Sequence, residues 1–250
     1  MVNFLKIIIA GFCLLLLSSH TVKAQKKHPL RKHYFFAQIS PNLQQPLQIS
    51  ESPHHNLKQS VSWGAGADIG YHFKVYKNFG INASIGGDLF SYVYTSGKND
   101  FLKLDIPGVL ADNGEIYFRW YPYAYHLHFA VTYFFALKKK RALELSLGCK
   151  LLKNEIDSLE HGVSYYIPPE YEVFRGRMGF KNSVVPVITI GISTPVRHPL
   201  ARFSIGLLMQ ISPTPIGTGK FIIQNTKSNS TGATLFYGNS LGLNFIYNFK

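Results

Sequence analysis

Cysteine, long apolar runs and acidic residues are all scarce in this chain of 250 residues. Only Cys13 and Cys149 are present, which excludes a scaffold held by several disulfides. No run of about 18 apolar residues follows the N-terminal segment, so no transmembrane helix is predicted there. Asp and Glu number 13 against 26 Lys and Arg, for a formal net charge of +13. The fold must therefore depend on packing and hydrogen bonding rather than on cross-links.

The first 24 residues have the organisation of a secretory signal peptide. Lys6 precedes an apolar run, Ile7–Leu17, and Val22-Lys-Ala24 supplies small residues for cleavage. The run is too short to span a bilayer as a helix, and Phe12 before Cys13 does not fit a lipoprotein signal. We expect cleavage after Ala24, a basic N-terminal segment over 25–31 and a folded domain over 32–250. Export makes nucleic acid an implausible partner despite the basic charge.

Strict alternation of apolar and polar residues runs through the predicted domain. Between Leu143 and Leu151, for example, every second residue is apolar and the intervening residues are small or charged. Successive side chains of a strand point to opposite faces, so each such segment has one apolar and one polar face. Segments of this kind are Lys32–Ile39, Val61–Tyr76, Phe79–Tyr94, Leu127–Leu137, Ala142–Leu152, Ser183–Thr194, Leu200–Ser212 and Gly232–Phe249.

A soluble sandwich and a membrane barrel both produce alternation, and three features favour the barrel. The polar faces are rich in Gly and Ser, which suit the crowded interior of a narrow barrel. Val61–Tyr76 is longer than the roughly 5–6 residues usual in soluble sheets and meets the roughly 9–11 that cross a bilayer. Aromatic residues make up 14% of the chain, and many stand near strand ends, as interfacial girdles require.

The connections between the segments alternate in length. Those at 77–78, 138–141 and 195–199 are short, whereas those at 40–60, 95–126, 153–182 and 213–231 are long. Short periplasmic turns and long outer loops are typical of outer-membrane barrels. We predict an all-β, antiparallel, transmembrane up-and-down barrel of eight strands. Phe101–Ile106 and Glu115–Tyr121 have strand character, so they either lengthen neighbouring strands or form a further hairpin that gives ten.

The chain resembles the small outer-membrane β-barrel superfamily, with its OmpA-type and OmpX-type membrane domains and porin-like relatives. The likeness lies in the signal peptide, the strand order and a last strand reading Leu241-Gly-Leu-Asn-Phe-Ile-Tyr-Asn-Phe249. A terminal aromatic strand is similar to the signal that the barrel-assembly machinery reads, although here Lys250 follows the aromatic residue. The resemblance is one of pattern, and it implies a fold and an outer-membrane location without fixing a function.

Charged residues on the polar faces predict an interlocked network inside the barrel. Buried charges must be paired because desolvation is costly. If the turn at Lys77-Asn78 takes three residues, Asp68 and Asp88 lie opposite one another, and we expect Lys150 or Arg202 within salt-bridge reach of one of them. The alternative function of this network is a narrow ion path. The expected members are Asp68, His72, Asp88, His128, Glu144, Lys150 and Arg202.

No motif in the sequence assigns a catalytic, cofactor or metal site. His54-His55 lacks the further ligands that a metal requires. His126 and His128 flank Leu127, and we interpret His128 as a lumen side chain and His126 as a loop residue. The His-x-Ser spacing of lipid A deacylase-like barrels is absent, and Asp100, Asp105 and Asp112 are interpreted as solvated loop acids rather than as protease residues.

The predicted topology makes the barrel electrically uneven, with acids in the second and third long loops and cations at the periplasmic end. We define the periplasmic basic rim as Lys77, Lys138, Lys139, Lys140, Arg141 and Arg197. Outer-membrane lipid and the assembly machinery are the expected partners, and the rim is expected to contact anionic headgroups or peptidoglycan. The leading functional hypothesis is a non-enzymatic barrel with a surface, structural or recognition role. A barrel enzyme acting on lipid or peptide and a small-solute pore remain as alternatives.

Overall fold

The structure, a computed structural model, describes residues 33–45, 48–50, 58–97, 115–137, 141–154, 161–167, 171–180, 184–196, 202–224 and 229–249. The predicted signal peptide and the basic segment 25–31 lie outside these residues. Across the described part of the chain, no helix has both the length and the apolar character needed to cross a membrane.

Sixteen strands make up the described fold. They are β1 (His33–Gln44), β2 (Gln48–Ser50), β3 (Lys58–Ser60), β4 (Ser62–Tyr76), β5 (Phe79–Leu89), β6 (Tyr92–Gly97), β7 (Glu115–Trp120), β8 (Tyr123–Leu137), β9 (Arg141–Asn154), β10 (His161–Ile167), β11 (Tyr171–Phe180), β12 (Val185–Pro195), β13 (Phe203–Ile211), β14 (Gly217–Gln224), β15 (Asn229–Phe236) and β16 (Ser240–Asn248).

Eight of these strands close into an antiparallel barrel in the order β1-β16-β13-β12-β9-β8-β5-β4. Closure occurs because β1 pairs with β16 on one side and with β4 on the other. The predicted eight-stranded up-and-down barrel is therefore confirmed. Its short connections all lie at one end, here called the turn end, and its long connections lie at the other, here called the loop end.

The long connections contain the remaining eight strands, which form two further sheets. One has the order β10-β11-β14-β15-β2 and the other has the order β3-β6-β7. β7 covers all but the last residue of the predicted Glu115–Tyr121 segment and pairs with β6 outside the barrel, whereas Phe101–Ile106 lies outside the described residues. The predicted last segment, 232–249, is two strands, since β15 belongs to the five-stranded sheet and β16 to the barrel.

The register of the β4–β5 hairpin differs from the one expected for Asp68 and Asp88. β4 and β5 are joined by a two-residue turn in which Lys77 has a φ of 41°, with an irregularity between Lys74 and Tyr76. Asp68 consequently pairs with Gly86, and Asp88 pairs with Gly66. The two acids are therefore diagonal neighbours rather than directly opposite, because the turn is one residue shorter than the opposed register requires and the irregularity between Lys74 and Tyr76 shifts the register by one more.

The barrel is apolar outside and polar inside. Outward side chains such as Ile69, Leu147 and Leu207 are 65%, 42% and 48% exposed, whereas 21 of the buried polar or charged residues among those described lie on the eight barrel strands. Paired rings of Tyr71 with Phe73 and of Tyr133 with Phe135 stand toward the turn end. A soluble barrel would have the opposite sidedness, so this surface is that of a transmembrane barrel with an aromatic girdle.

Candidate functional site

The candidate site is the barrel lumen. Alternate residues of each of the eight strands point into it, and most of these residues are polar. It has three levels between the loop end and the turn end. These are an apolar cap, a charged cluster and a polar cavity.

The charged cluster is centred on an ion pair between β5 and β9. Lys150 Nζ lies 3.0 Å from Asp88 Oδ1 and 3.0 Å from Asp88 Oδ2. Lys150 is 0% exposed and Asp88 is 2% exposed, so neither charge has water as an alternative partner. A pair with two short contacts recovers much of the desolvation cost, but loss of either partner would leave an uncompensated buried charge.

His126 joins this pair to Asp68 on β4. Its Nε2 lies 2.7 Å from Asp68 Oδ1, and its Nδ1 lies 3.0 Å from Asp88 Oδ2. Ser84 donates a second hydrogen bond to Asp68 Oδ1 at 3.0 Å. The prediction that His126 is a loop residue is wrong. β8 begins at Tyr123, four residues before the predicted segment, and this places His126 on the inward face beside His128.

Small residues make room for these side chains on the facing strands. A Cβ on Gly66 would lie 2.5 Å from Asp88 Oδ1, and a Cβ on Gly86 would lie 2.8 Å from His126 Nε2. Both distances are shorter than non-bonded contacts allow. The glycines of the polar faces are therefore what allows a charged cluster of this size inside an eight-stranded barrel.

His128 and His72 lie elsewhere in the lumen. His128 Nε2 lies 2.9 Å from Thr189 Oγ1 on β12. Nearer the turn end, His72 Nδ1 lies 2.6 Å from Asn82 Oδ1 and its ring stacks on Tyr34 at 4.6 Å between centroids. The predicted residues His72 and His128 are thus inside the barrel, but no contact joins His72 to the Asp68–Asp88 cluster among the described residues.

Glu144 occupies the turn-end half of the lumen and has a different environment. It is 9% exposed, and the side chain of Asn82 donates a hydrogen bond to its carboxylate. Among the side chains that the structure describes, no cation forms an ion pair with it. Glu144 borders a cavity of about 20 Å³ that is lined by residues from seven of the eight barrel strands.

An apolar cap closes the loop end of the lumen. Phe236 and Tyr92, 0% and 1% exposed, have ring centroids 5.0 Å apart. Tyr92 follows β5 and Phe236 precedes β16, and β4 and β1 separate these strands in the barrel, so the contact bridges the mouth. The other buried apolar residues at this end are Phe90, Ala124, Leu152, Val185, Val187 and Ile216.

Arg202 does not belong to the lumen network. It precedes β13 at the turn end, is exposed, and donates from Nη1 to Tyr247 Oη at 3.3 Å. Alternation along β13 would place Arg202 on the inward face. However, β13 begins only at Phe203, and the Arg202 side chain lies outside the barrel.

The periplasmic basic rim is only partly described. Lys77 is exposed in the β4–β5 turn, with Nζ 4.9 Å from the centroid of the Tyr76 ring. Arg141 is the first residue of β9, which places its backbone at the turn end; its side chain is not among those that the structure describes. Lys138, Lys139, Lys140 and Arg197 fall outside the described residues, as do Asp100, Asp105 and Asp112 of the second long loop and the pair His54-His55.

The described clusters do not have the geometry of a known hydrolytic or metal centre. Ser84 and His126 contact the same oxygen of Asp68 rather than each other, whereas a nucleophile requires a hydrogen bond to its base. In the described part of the chain, no group of three or more His, Cys, Asp or Glu residues is arranged to hold a metal ion.

Comparisons with known proteins add little to this geometry. No protein-family model matches the chain, and no curated protein matches it. Among solved structures, the outer membrane protein OprG from Pseudomonas aeruginosa is similar at 10% identity with a TM-score of 0.44, over 87% of this chain and 96% of that one. The beta domain of the Bordetella autotransporter BrkA has 9% identity and a TM-score of 0.20, over 87% of this chain and 100% of that one.

Proposed function

We propose that this protein is a non-enzymatic outer-membrane barrel that does not conduct solutes and presents its loop end at the cell surface for a structural or recognition role. The observation that carries this proposal is the bridging contact of Tyr92 with Phe236 across the loop end of the lumen, above the buried Asp88–Lys150 pair. An open pore needs a continuous water-filled path. The cap interrupts such a path with apolar rings, and the charged cluster fills the lumen beneath it with buried side chains.

The recognition role is supported by the way the long connections are built. Strands from the first, third and fourth long connections pair in the five-stranded sheet, and strands from the first and second pair in the three-stranded sheet. Backbone pairing between separate connections lowers the entropy cost of presenting a defined surface. A rigid scaffold that carries such connections is a common arrangement for binding.

Conductance across planar bilayers tests the closed lumen. The refolded wild-type barrel should give no stable current steps. Tyr92→Ala combined with Phe236→Ala removes both cap rings and should produce brief openings, whereas Tyr125→Ala, an outward and half-exposed ring, should not. Steady conductance by the wild type would instead support the pore alternative.

Epitope tags test the orientation. A tag inserted between β14 and β15, after Asn225, should be labelled by antibody on intact cells, whereas a tag between β8 and β9, after Lys139, should be labelled only after permeabilisation. The reverse result would place the loop end in the periplasm and exclude surface recognition. Lipid A and phospholipid profiles of cells with and without the protein should be identical, and a change in acylation would support the enzyme alternative.

A further inference from the structure

We propose that the lumen cavity beside Glu144 binds one monovalent alkali cation. The polar lining comes from all sides of the barrel, with Gln38 on β1, Asn82 on β5, Glu144 and Ser146 on β9, Ser193 on β12 and Asn244 on β16. Hard cations prefer carboxylate, amide and hydroxyl oxygens. Glu144, Gln38, Ser146 and Ser193 can supply them, whereas the amide oxygens of Asn82 and Asn244 are engaged by His72 and Ser40. The proposal is independent of the role suggested for the loop end.

The charge of Glu144 is the first reason to expect a cation. A carboxylate that is 9% exposed needs a proton, a basic partner or a bound ion, because an isolated buried charge is costly. Two basic side chains of the lumen are engaged elsewhere. Lys150 makes both of its short contacts with Asp88, and His128, which also borders the cavity, has its Nε2 against Thr189.

The orientation of the neighbouring amides is the second reason. Gln38 Nε2 donates to Ser40 Oγ at 3.2 Å, and Ser40 Oγ donates to Asn244 Oδ1 at 3.2 Å. Since the amide nitrogen of Gln38 is used in this chain of hydrogen bonds, its carbonyl oxygen is left as an acceptor. The single carboxylate of Glu144, with the neutral oxygens of Gln38, Ser146 and Ser193, balances one positive charge, which favours a monovalent ion over a divalent one.

Space is the third reason. The cavity of about 20 Å³ exceeds the roughly 10–15 Å³ that one water-sized occupant requires. Gly191 helps to create it, because a Cβ there would lie only 2.2 Å from Ser146 Oγ. An alanine at this position would therefore displace the Ser146 side chain and reduce the space without changing any charge.

Thermal unfolding of the refolded barrel in neutral detergent tests the proposal. The midpoint is measured in lithium, sodium, potassium and tetramethylammonium chloride at one pH and one ionic strength. We expect at least one alkali ion to raise the midpoint above that in tetramethylammonium, with a saturable rise of roughly 5–10 °C at a hundredfold excess over Kd. Equal midpoints in all four salts would overturn the proposal and indicate that Glu144 is neutralised by a proton or by a protein cation.

Three variants identify the site. Glu144→Gln keeps the shape of the side chain and an acceptor for Asn82, and it should abolish the difference between salts. Gly191→Ala should reduce it, whereas Gly238→Ala, whose Cβ has only ordinary contacts of 3.6 Å or more, should leave it unchanged. Salt dependence that persists in Glu144→Gln would place the ion elsewhere. If these variants do not fold, wild-type crystals grown with thallium chloride decide the matter, with an anomalous peak beside Glu144 expected and its absence overturning the proposal.

Discussion

Lys150 Nζ is held at 3.0 Å from each carboxylate oxygen of Asp88, and both side chains are withdrawn from water inside the barrel. β5 and β9 are not adjacent, since β8 lies between them. The ion pair therefore links two strands, β5 and β9, that share no backbone hydrogen bonds. His126 on β8 adds a further link, because it contacts both Asp68 on β4 and Asp88 on β5.

Removal of the Lys150 ammonium group from this ion pair should destabilise the barrel strongly. Lys150→Met keeps much of the side-chain volume but leaves Asp88 without its basic partner, for which we expect a loss of about 3–5 kcal/mol in the free energy of unfolding. Urea unfolding in lipid vesicles, followed by tryptophan fluorescence, measures it, since Trp63 is 70% exposed on the outer face.

Two further variants separate the lost pair from the lost charge. Lys153→Met alters an exposed lysine on the same strand and should change stability by less than about 0.5 kcal/mol. Lys150→Met combined with Asp88→Asn removes both charges and should recover much of the loss, because no buried ion then lacks a partner. A double variant as unstable as Lys150→Met alone would contradict the ion-pair explanation.

The outer face gives a prediction that depends on membrane depth. Leu147 lies near the middle of β9 and is 42% exposed, whereas Val75 lies one residue before the turn end of β4 and is 62% exposed. Leu147→Arg should cost about 2–4 kcal/mol, and Val75→Arg should cost about 0–1 kcal/mol, because the penalty falls toward the interface. Folding into vesicles at graded urea concentrations measures both. Equal costs would mean that this face does not contact hydrocarbon.

Gly86 lies on the inner face of the barrel, where there is no room for even a methyl side chain. A Cβ on Gly86 would lie 2.1 Å from the carbonyl oxygen of Ala67 and 2.8 Å from His126 Nε2. The first contact is with backbone, so it cannot be relieved by rotating a side chain. We expect Gly86→Ala to cost about 1–3 kcal/mol, with Gly238→Ala, which meets only ordinary contacts, as the matched control. A tolerated Gly86→Ala would show that the β4–β5 register differs from the one described.

Alternation explains what could be predicted from the sequence. Strand parity alone assigns Asp68, Asp88 and Lys150 to the inward face, and the alternating connection lengths give eight strands. Register cannot be predicted equally well, because the expected opposition of Asp68 and Asp88 depends on the turn length and on unbroken strand pairing, which only the backbone settles. Arg202 shows a related limit, since parity gives the face of a residue but not the point at which the strand begins.

Features that join distant segments were missed. β8 starts with tyrosines on the outward face and Ala124 inward. Its first residues therefore do not alternate in polarity, and the sequence pattern places His126 in a loop. The cap residues Phe90 and Ile216 lie just outside strands, where no period identifies them. The Glu144 cavity depends on Gly191 of the neighbouring strand, and a sequence contains no signal for such space.

The turn end provides the last prediction, which concerns contact with anionic surfaces. β8 ends at Leu137 and β9 begins at Arg141, so Lys138, Lys139 and Lys140 connect these strands at the same end as the exposed Lys77. We propose that this rim binds anionic headgroups or peptidoglycan, with about 1 kcal/mol from each cation near the surface.

Two matched variants test this contact, because each lowers the net charge by two. Lys138→Gln with Lys139→Gln acts at the turn end and should weaken co-sedimentation with anionic vesicles or purified peptidoglycan by roughly thirtyfold. Lys153→Gln with Lys220→Gln acts on exposed lysines toward the loop end and should have little effect. Binding of the wild type should also decrease between low and high salt, since the Debye length falls from about 30 Å at 0.01 M to about 3 Å at 1 M. Equal weakening by both double variants would indicate a response to net charge alone. Weakening by the second pair only would mean that the loop end, and not the rim, carries the anion-binding surface.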